Sequence, residues 1–159
     1  ILPSVVTSLA TQSSIATLPT NFAMTKKVGV SDDISSLVLP LGATIHMDGS
    51  CLSAILKIAF VFSVFNMEFS GFTTFLTAIG IAILSGIVMS GIPGGGFMGE
   101  MLIVTLYGLP IQALPIISAI GVVVDPPATM VNATGDTVSS MVVARYTDGK
   151  DWMNQTAID

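Results

Sequence analysis

Apolar residues fill this chain in long blocks, and the polar positions that interrupt them are few and clustered. No residue carries a charge from Phe69 to Gly99, nor from Met101 to Val124. Both runs exceed the roughly 20 residues that cross a bilayer as a helix. The apolar run from Ile116 to Val124 leads into Asp125-Pro-Pro-Ala-Thr-Met-Val-Asn-Ala-Thr-Gly-Asp136 and then into Thr137 to Ala144. On a helix, Asp125, Thr129, Asn132 and Asp136 fall at i, i+4, i+7 and i+11, within a stripe about 60° wide. In hydrocarbon such a stripe is costly, so it faces a bundle interior or an ion pathway. Asn and Thr alone would suit interhelical hydrogen bonds. Two carboxylates, with no basic residue on that segment before Arg145, point instead to a cation or substrate site.

The same pattern divides the rest of the chain. Residues 1–20 are apolar but carry Thr7, Ser8, Thr11, Ser13, Ser14 and Thr17, and are expected to stop at Pro19. They read as one arm of a re-entrant hairpin with its tip near Gln12 to Ser14, or as a hydroxyl-rich packing helix. Lys26-Lys27 and Asp32-Asp33 mark an aqueous linker. Residues 30–66 are long enough to span, but Gly42, His46, Asp48 and Gly49 interrupt them. A broken helix with unwound carbonyls free for a cation fits this, a device that recurs in secondary transporters; a simple kink with a paired Asp48 is the alternative. Lys57 is either Asp48's distant partner or a side chain that snorkels to an interface. In residues 71–110, two helical runs flank Ser90-Gly-Ile-Pro-Gly-Gly-Gly96, with Glu100 near the start of the second. Glycine and proline at that density make a tight turn, so this is a second re-entrant hairpin or an ordinary loop between two spans. Residues 112–146 form the final helix and 147–159 a cytoplasmic tail.

Composition narrows the class. Hydrophobic residues make up 52% and charged residues 9%, with mean hydropathy +0.85, whereas soluble domains carry roughly 25% charge. The expectation is an all-α membrane protein in the plasma membrane, crossing it several times. Lys26 and Lys27 near one apolar boundary, and Arg145 and Lys150 beyond the last, place both ends in the cytoplasm. Ten acids against five bases speak against nucleic acid. The single Cys51 excludes an internal disulfide framework. Neither an HExxH nor a GxSxG arrangement occurs, so no enzyme is expected. The start at Ile1, with neither methionine nor basic leader, suggests a piece of a longer protein.

Four motifs carry a resemblance: Thr11-Gln-Ser-Ser-Ile-Ala-Thr-Leu-Pro19, Leu39-Pro-Leu-Gly-Ala-Thr-Ile-His-Met-Asp-Gly-Ser50, Ser90-Gly-Ile-Pro-Gly-Gly-Gly96 and Thr129-Met-Val-Asn-Ala-Thr-Gly-Asp136. In their order and spacing they resemble the C-terminal transport core of the dicarboxylate/amino acid:cation symporter family, the glutamate transporter family. The resemblance implies a transport-core fragment with two re-entrant helical hairpins and a broken seventh transmembrane helix, from a homotrimeric parent that works as an elevator. It assigns the substrate carboxylate to Ser13 and Ser14, the closing hairpin to Ile92 and Gly96, and further substrate contacts to Met47 and Ser50. Asp125 would face the substrate ammonium, with Thr129 and Asn132 on its polar groups. Sodium would take Gly42, Asn132 and Asp136 at one site, Thr44 and Met47 at another, and Asp48 at a third.

Three departures change the expectation. Acidic-substrate members of the family carry an arginine where this chain has Ala128, and an acidic side chain buried there without it would lack a partner. The expected substrate is therefore a neutral amino acid or cystine rather than an acidic amino acid or dicarboxylate. His46 replaces an asparagine, which leaves Na+ or H+ open as the coupling ion. Gln12 stands where some members have an arginine, so Asp125 is expected to lean on the substrate amine or bound cations. The competing class is a cation channel with the acidic stripe lining its pore.

Overall fold

The computed structural model describes residues 1–90 and 94–154; among these, seven α-helices and a short terminal 3-10 turn make up the regular structure. Helix α1 is Leu2–Thr11 and α2 is Ser14–Val28. Gln12 joins them in the left-handed conformation (φ 50°), its N–H reaching Ser8 O, and the Ser13 side chain caps α2 by accepting from Ala16 N–H. The turn falls where the hydroxyl cluster predicts a hairpin tip. The second arm, however, does not stop at Pro19: α2 runs through it to Val28, and only Gly29 to Ser31 separate α2 from α3 (Asp32–Ile45). Proline in the second turn of a helix forfeits one backbone bond, and neighbouring helices supply the packing that holds the helix together.

Helix α4 is Asp48–Val64; between it and α3, His46 (φ −86°, ψ 89°) and Met47 (φ −122°, ψ 31°) lie outside helical geometry. Helix α5 (Phe72–Met89) and helix α6 (Gly95–Leu106) flank the glycine-rich segment, of which Gly91 to Pro93 lie outside the described residues. With its 18 residues α5 is a full-length span by size and hydropathy, whereas α6 has 12. Helix α7 (Ala113–Thr147) is continuous across Pro126 and Pro127. Among the described residues, three stretches are long and apolar enough to cross a membrane: Asp32–Val64, Phe72–Met89 and Ala113–Thr147.

Helix α7 packs against α1, α2, α3, α4 and α6, while α5 packs on α4 and α6. One apolar core joins Ala54, Ile58 and Val61 of α4 to Ile81 of α5, Ile103 of α6 and Ile117 of α7. The first hairpin is built the other way round. Helix α1 buries Ser4 and Ser8 and turns Leu2 and Val6 outward; α2 buries Thr17, Asn21 and Thr25. In a lipid environment apolar surface has no drive to hide, and small or hydroxylated residues bring helix axes close. Asn21 Nδ2 donates to Ala133 O at 2.9 Å, tying α2 to α7. The outward apolar positions Leu41, Leu52, Ile79, Ile87 and Val122 suit a hydrocarbon surround, and the molecule is a membrane protein.

Ile58 has no exposed surface and bridges α4 to the shared core. Ile58→Ala is expected to lower stability by about 2–5 kcal/mol, read as a fall in unfolding temperature in detergent.

Candidate functional site

Three breaks in regular structure meet the polar stripe of α7 in one place. The α1–α2 turn, the His46–Met47 interruption and the start of α6 bound a cavity of about 310 Å³. Ser14, Met47, Ser50, Gly96, Asp125, Ala128, Thr129 and Asn132 all line it, and Thr11, Gln12, Met89, Gly94 and Phe97 complete the wall. Ser13, placed with Ser14 by the sequence motif, does not reach the cavity: it is buried as the cap of α2. A hydroxyl spent on a helix N-terminus replaces a lost backbone bond, which leaves Ser14, the first residue of α2, as the one facing inward. Ile92 lies outside the described residues.

Asn132 organises the floor. Its Oδ1 accepts from Gly49 N–H at 2.8 Å, and its Nδ2 donates to Ser50 Oγ at 2.8 Å and approaches Met47 Sδ at 3.6 Å. Such contact needs α4 and α7 almost touching, and glycine permits it: a Cβ on Gly49 would collide with the Ala128 carbonyl.

The second polar group lies beyond Asn132. Asp136 is fully buried; its Oδ1 meets His46 Nδ1 at 2.9 Å, and its Oδ2 has no hydrogen-bond partner among the described residues. The other ring nitrogen, Nε2, lies 3.2 Å from Asp48 Oδ1. One imidazole thus bridges two carboxylates, an arrangement in which both contacts are hydrogen bonds only if the trio holds a proton beyond that of a neutral imidazole. Two glycines make room: a Cβ on Gly42 would strike the Asp136 carboxylate, and one on Gly135 the His46 ring. Thr44 donates its hydroxyl to Leu41 O at 2.8 Å on its own helix and lines a second cavity with His46, Met47 and Asp48. Among the described residues no three His, Cys, Asp or Glu side chains form a metal cluster. A cation held here would draw on Asp136 Oδ2, a hard oxygen suited to an alkali ion.

Asp125 departs from expectation. In the structure it leans on Lys57: Lys57 Nζ sits 2.8 Å from Asp125 Oδ2 and 2.9 Å from Glu100 Oε1. Ser53 Oγ donates to Asp125 Oδ1 at 2.7 Å, and Ser118 Oγ to Glu100 Oε2 at 2.5 Å. Lys57 therefore pairs with neither Asp48 nor the membrane interface; its side chain is wholly enclosed. Neither expectation could see this, because a lysine in an apolar run needs some carboxylate and several were available. The usable signal was that Ser50, Ser53 and Lys57 share one face of α4 at i, i+3 and i+7.

The chain matches the sodium:dicarboxylate symporter family over residues 1–146. It belongs to that family. The excitatory amino acid transporter 4 of Rattus norvegicus is 34% identical over 145 residues, covering 90% of this chain and 26% of that protein. The neutral amino acid transporter A of Homo sapiens is 34% identical over 138 residues, 86% of the chain and 26% of the relative. The neutral amino acid transporter B(0) of Rattus norvegicus is 32% identical over 149 residues, 93% and 27%. The chain spans about a quarter of the length of these curated relatives. Within this symporter family chain, then, the resemblance first carried by four motifs extends over almost all of its length.

Gly49→Ala is expected to push α4 off α7, costing about 1–3 kcal/mol as overpacking does. Thermal unfolding measures it, and no loss of stability would show that the two helices are not in contact at that point.

Proposed function

We propose that this chain is the substrate- and ion-binding portion of a cation-coupled secondary symporter, moving a small neutral amino acid or cystine across the plasma membrane. The observation that supports it most is the convergence of a hairpin turn, a helix interruption and the α7 stripe on one polar cavity. On this reading α1–α2 and α5–α6 are re-entrant hairpins and α3–α4 is a single transmembrane helix broken at His46 and Met47, since irregular backbone at membrane depth is tolerated where it lines a cavity. The N-terminus of α2 at Ser14 offers first-turn N–H groups and the positive end of a helix dipole to a substrate carboxylate. Thr129 and the cavity amides meet its remaining polar atoms. Ala128, buried against α4, offers no charge to a second carboxylate, which favours a neutral side chain.

The transported cation, sodium as in the family at large or a proton, is bound by Asp136 through Oδ2. Asn132 links the two sites, bonded to Ser50 in the cavity wall and to Gly49 in the first turn of α4, next to the break. Ordering it for one ligand orders it for the other, so each ligand raises the affinity for its partner by the same factor. The loaded core then crosses as a unit within a homotrimer.

The full-length protein in liposomes is expected to accumulate neutral amino acids under an inward sodium or proton gradient. Uptake indifferent to both gradients removes the coupling. Ala128→Arg is expected to add transport of acidic amino acids, at least tenfold over the parent, about 1.4 kcal/mol of discrimination; competition uptake across acidic and neutral solutes reads it.

A further inference from the structure

Asp125 is the charged residue among those lining the cavity, and it is already engaged from behind. Lys57, held between Asp125 and Glu100, is the one fully buried basic side chain among the described residues. Its place is prepared by three helices. Helix α4 supplies Lys57 and Ser53, α6 supplies Glu100, and α7 supplies Asp125 and Ser118. Helix α7 also supplies a gap: a Cβ on Gly121 would lie 2.6 Å from Glu100 Oε1, 3.1 Å from Asp125 Oδ2 and 3.2 Å from Lys57 Cε. A buried ammonium with no exposed surface cannot withdraw to water when a solute arrives. A solute ammonium reaching Asp125 from the cavity would therefore meet a carboxylate with an ammonium on its far side, and the two like charges repel at short range.

We propose that Lys57 is a specificity-determining residue: as a built-in counter-ion to Asp125 it makes a ligand amine dispensable. The solute class is then a small carboxylic acid with a neutral side chain that binds with or without a 2-amino group. This rests on the cavity being the substrate site. Glu100 shares Lys57 from the side away from the cavity, so it tunes how much of the lysine's charge Asp125 receives.

The test compares the full-length protein's affinity for matched pairs: alanine with lactate, and serine with glycerate. The parent protein is expected to bind the members of a pair within about tenfold of each other. Glu100→Gln, which leaves Lys57 wholly to Asp125, lowers the ratio in favour of the hydroxy acid. Lys57→Met combined with Glu100→Gln leaves Asp125 alone and raises the preference for the amine at least tenfold. A parent preference for the amine above about a hundredfold, or a double variant with an unchanged ratio, would overturn the proposal. Should neither member of any pair bind, the substrate-site reading itself fails, and thermal unfolding then reads the lysine without a ligand. Lys57→Met alone should lower the unfolding temperature, and adding Asp125→Asn and Glu100→Gln should restore most of the loss. An unfolding temperature unaffected by Lys57→Met overturns Lys57 as a counter-ion.

Discussion

A carboxylate withdrawn from water into a helix bundle must find donors or a counter-charge within a few ångströms, and α7 carries two such groups about three turns apart. Asp125 finds Lys57 and Ser53 on α4, and Asp136 finds His46 between α3 and α4. These two encounters set where α4 and the end of α3 sit against α7. That placement brings Met47 and Ser50 to the cavity wall beside Asp125, Ala128, Thr129 and Asn132. The break at His46 and Met47 lies at the Asp136 end of this contact.

Close approach is the second condition. Gly42, Gly49, Gly121 and Gly135 each stand where a Cβ would strike a functional group on another helix or in the ion network. Their use is the absence of a side chain in a helix that is already well formed. The first hairpin reaches a similar end by other means, burying serine and threonine rather than glycine and keeping its leucine and valine for the outside. Both devices belong to a medium in which apolar burial gives little drive and contact distance gives most.

The polar groups also fall into two chemistries. Around Asp125 the charges are matched in place by a lysine that no solvent reaches, and the site is held by ion pairs across α4, α6 and α7. Around Asp136 an oxygen has no partner among the described residues, beside an imidazole shared with the more exposed Asp48. The first arrangement pairs its charges within the protein. The second is open by one acceptor and suits an ion that comes and goes.

Much of this was legible along the chain. The spacing of Asp125, Thr129, Asn132 and Asp136 put them on one face because helical periodicity is a local property. The hydroxyl-rich tip at Gln12 to Ser14 and the interruption near His46 announced themselves through residues that disfavour a continuous helix. What no local pattern carries is the identity of the group across the gap. Lys57 meets Glu100 and Asp125 over sequence separations of 43 and 68 residues, and His46 meets Asp136 over 90. Several carboxylates satisfied the lysine equally on paper; only the azimuth and depth at which the helices dock chose among them. Ser13 and Thr44 use their hydroxyls within their own segments, on Ala16 N–H and on Leu41 O, since a side chain's direction is decided by its own helix but its partner across a gap by the neighbouring one.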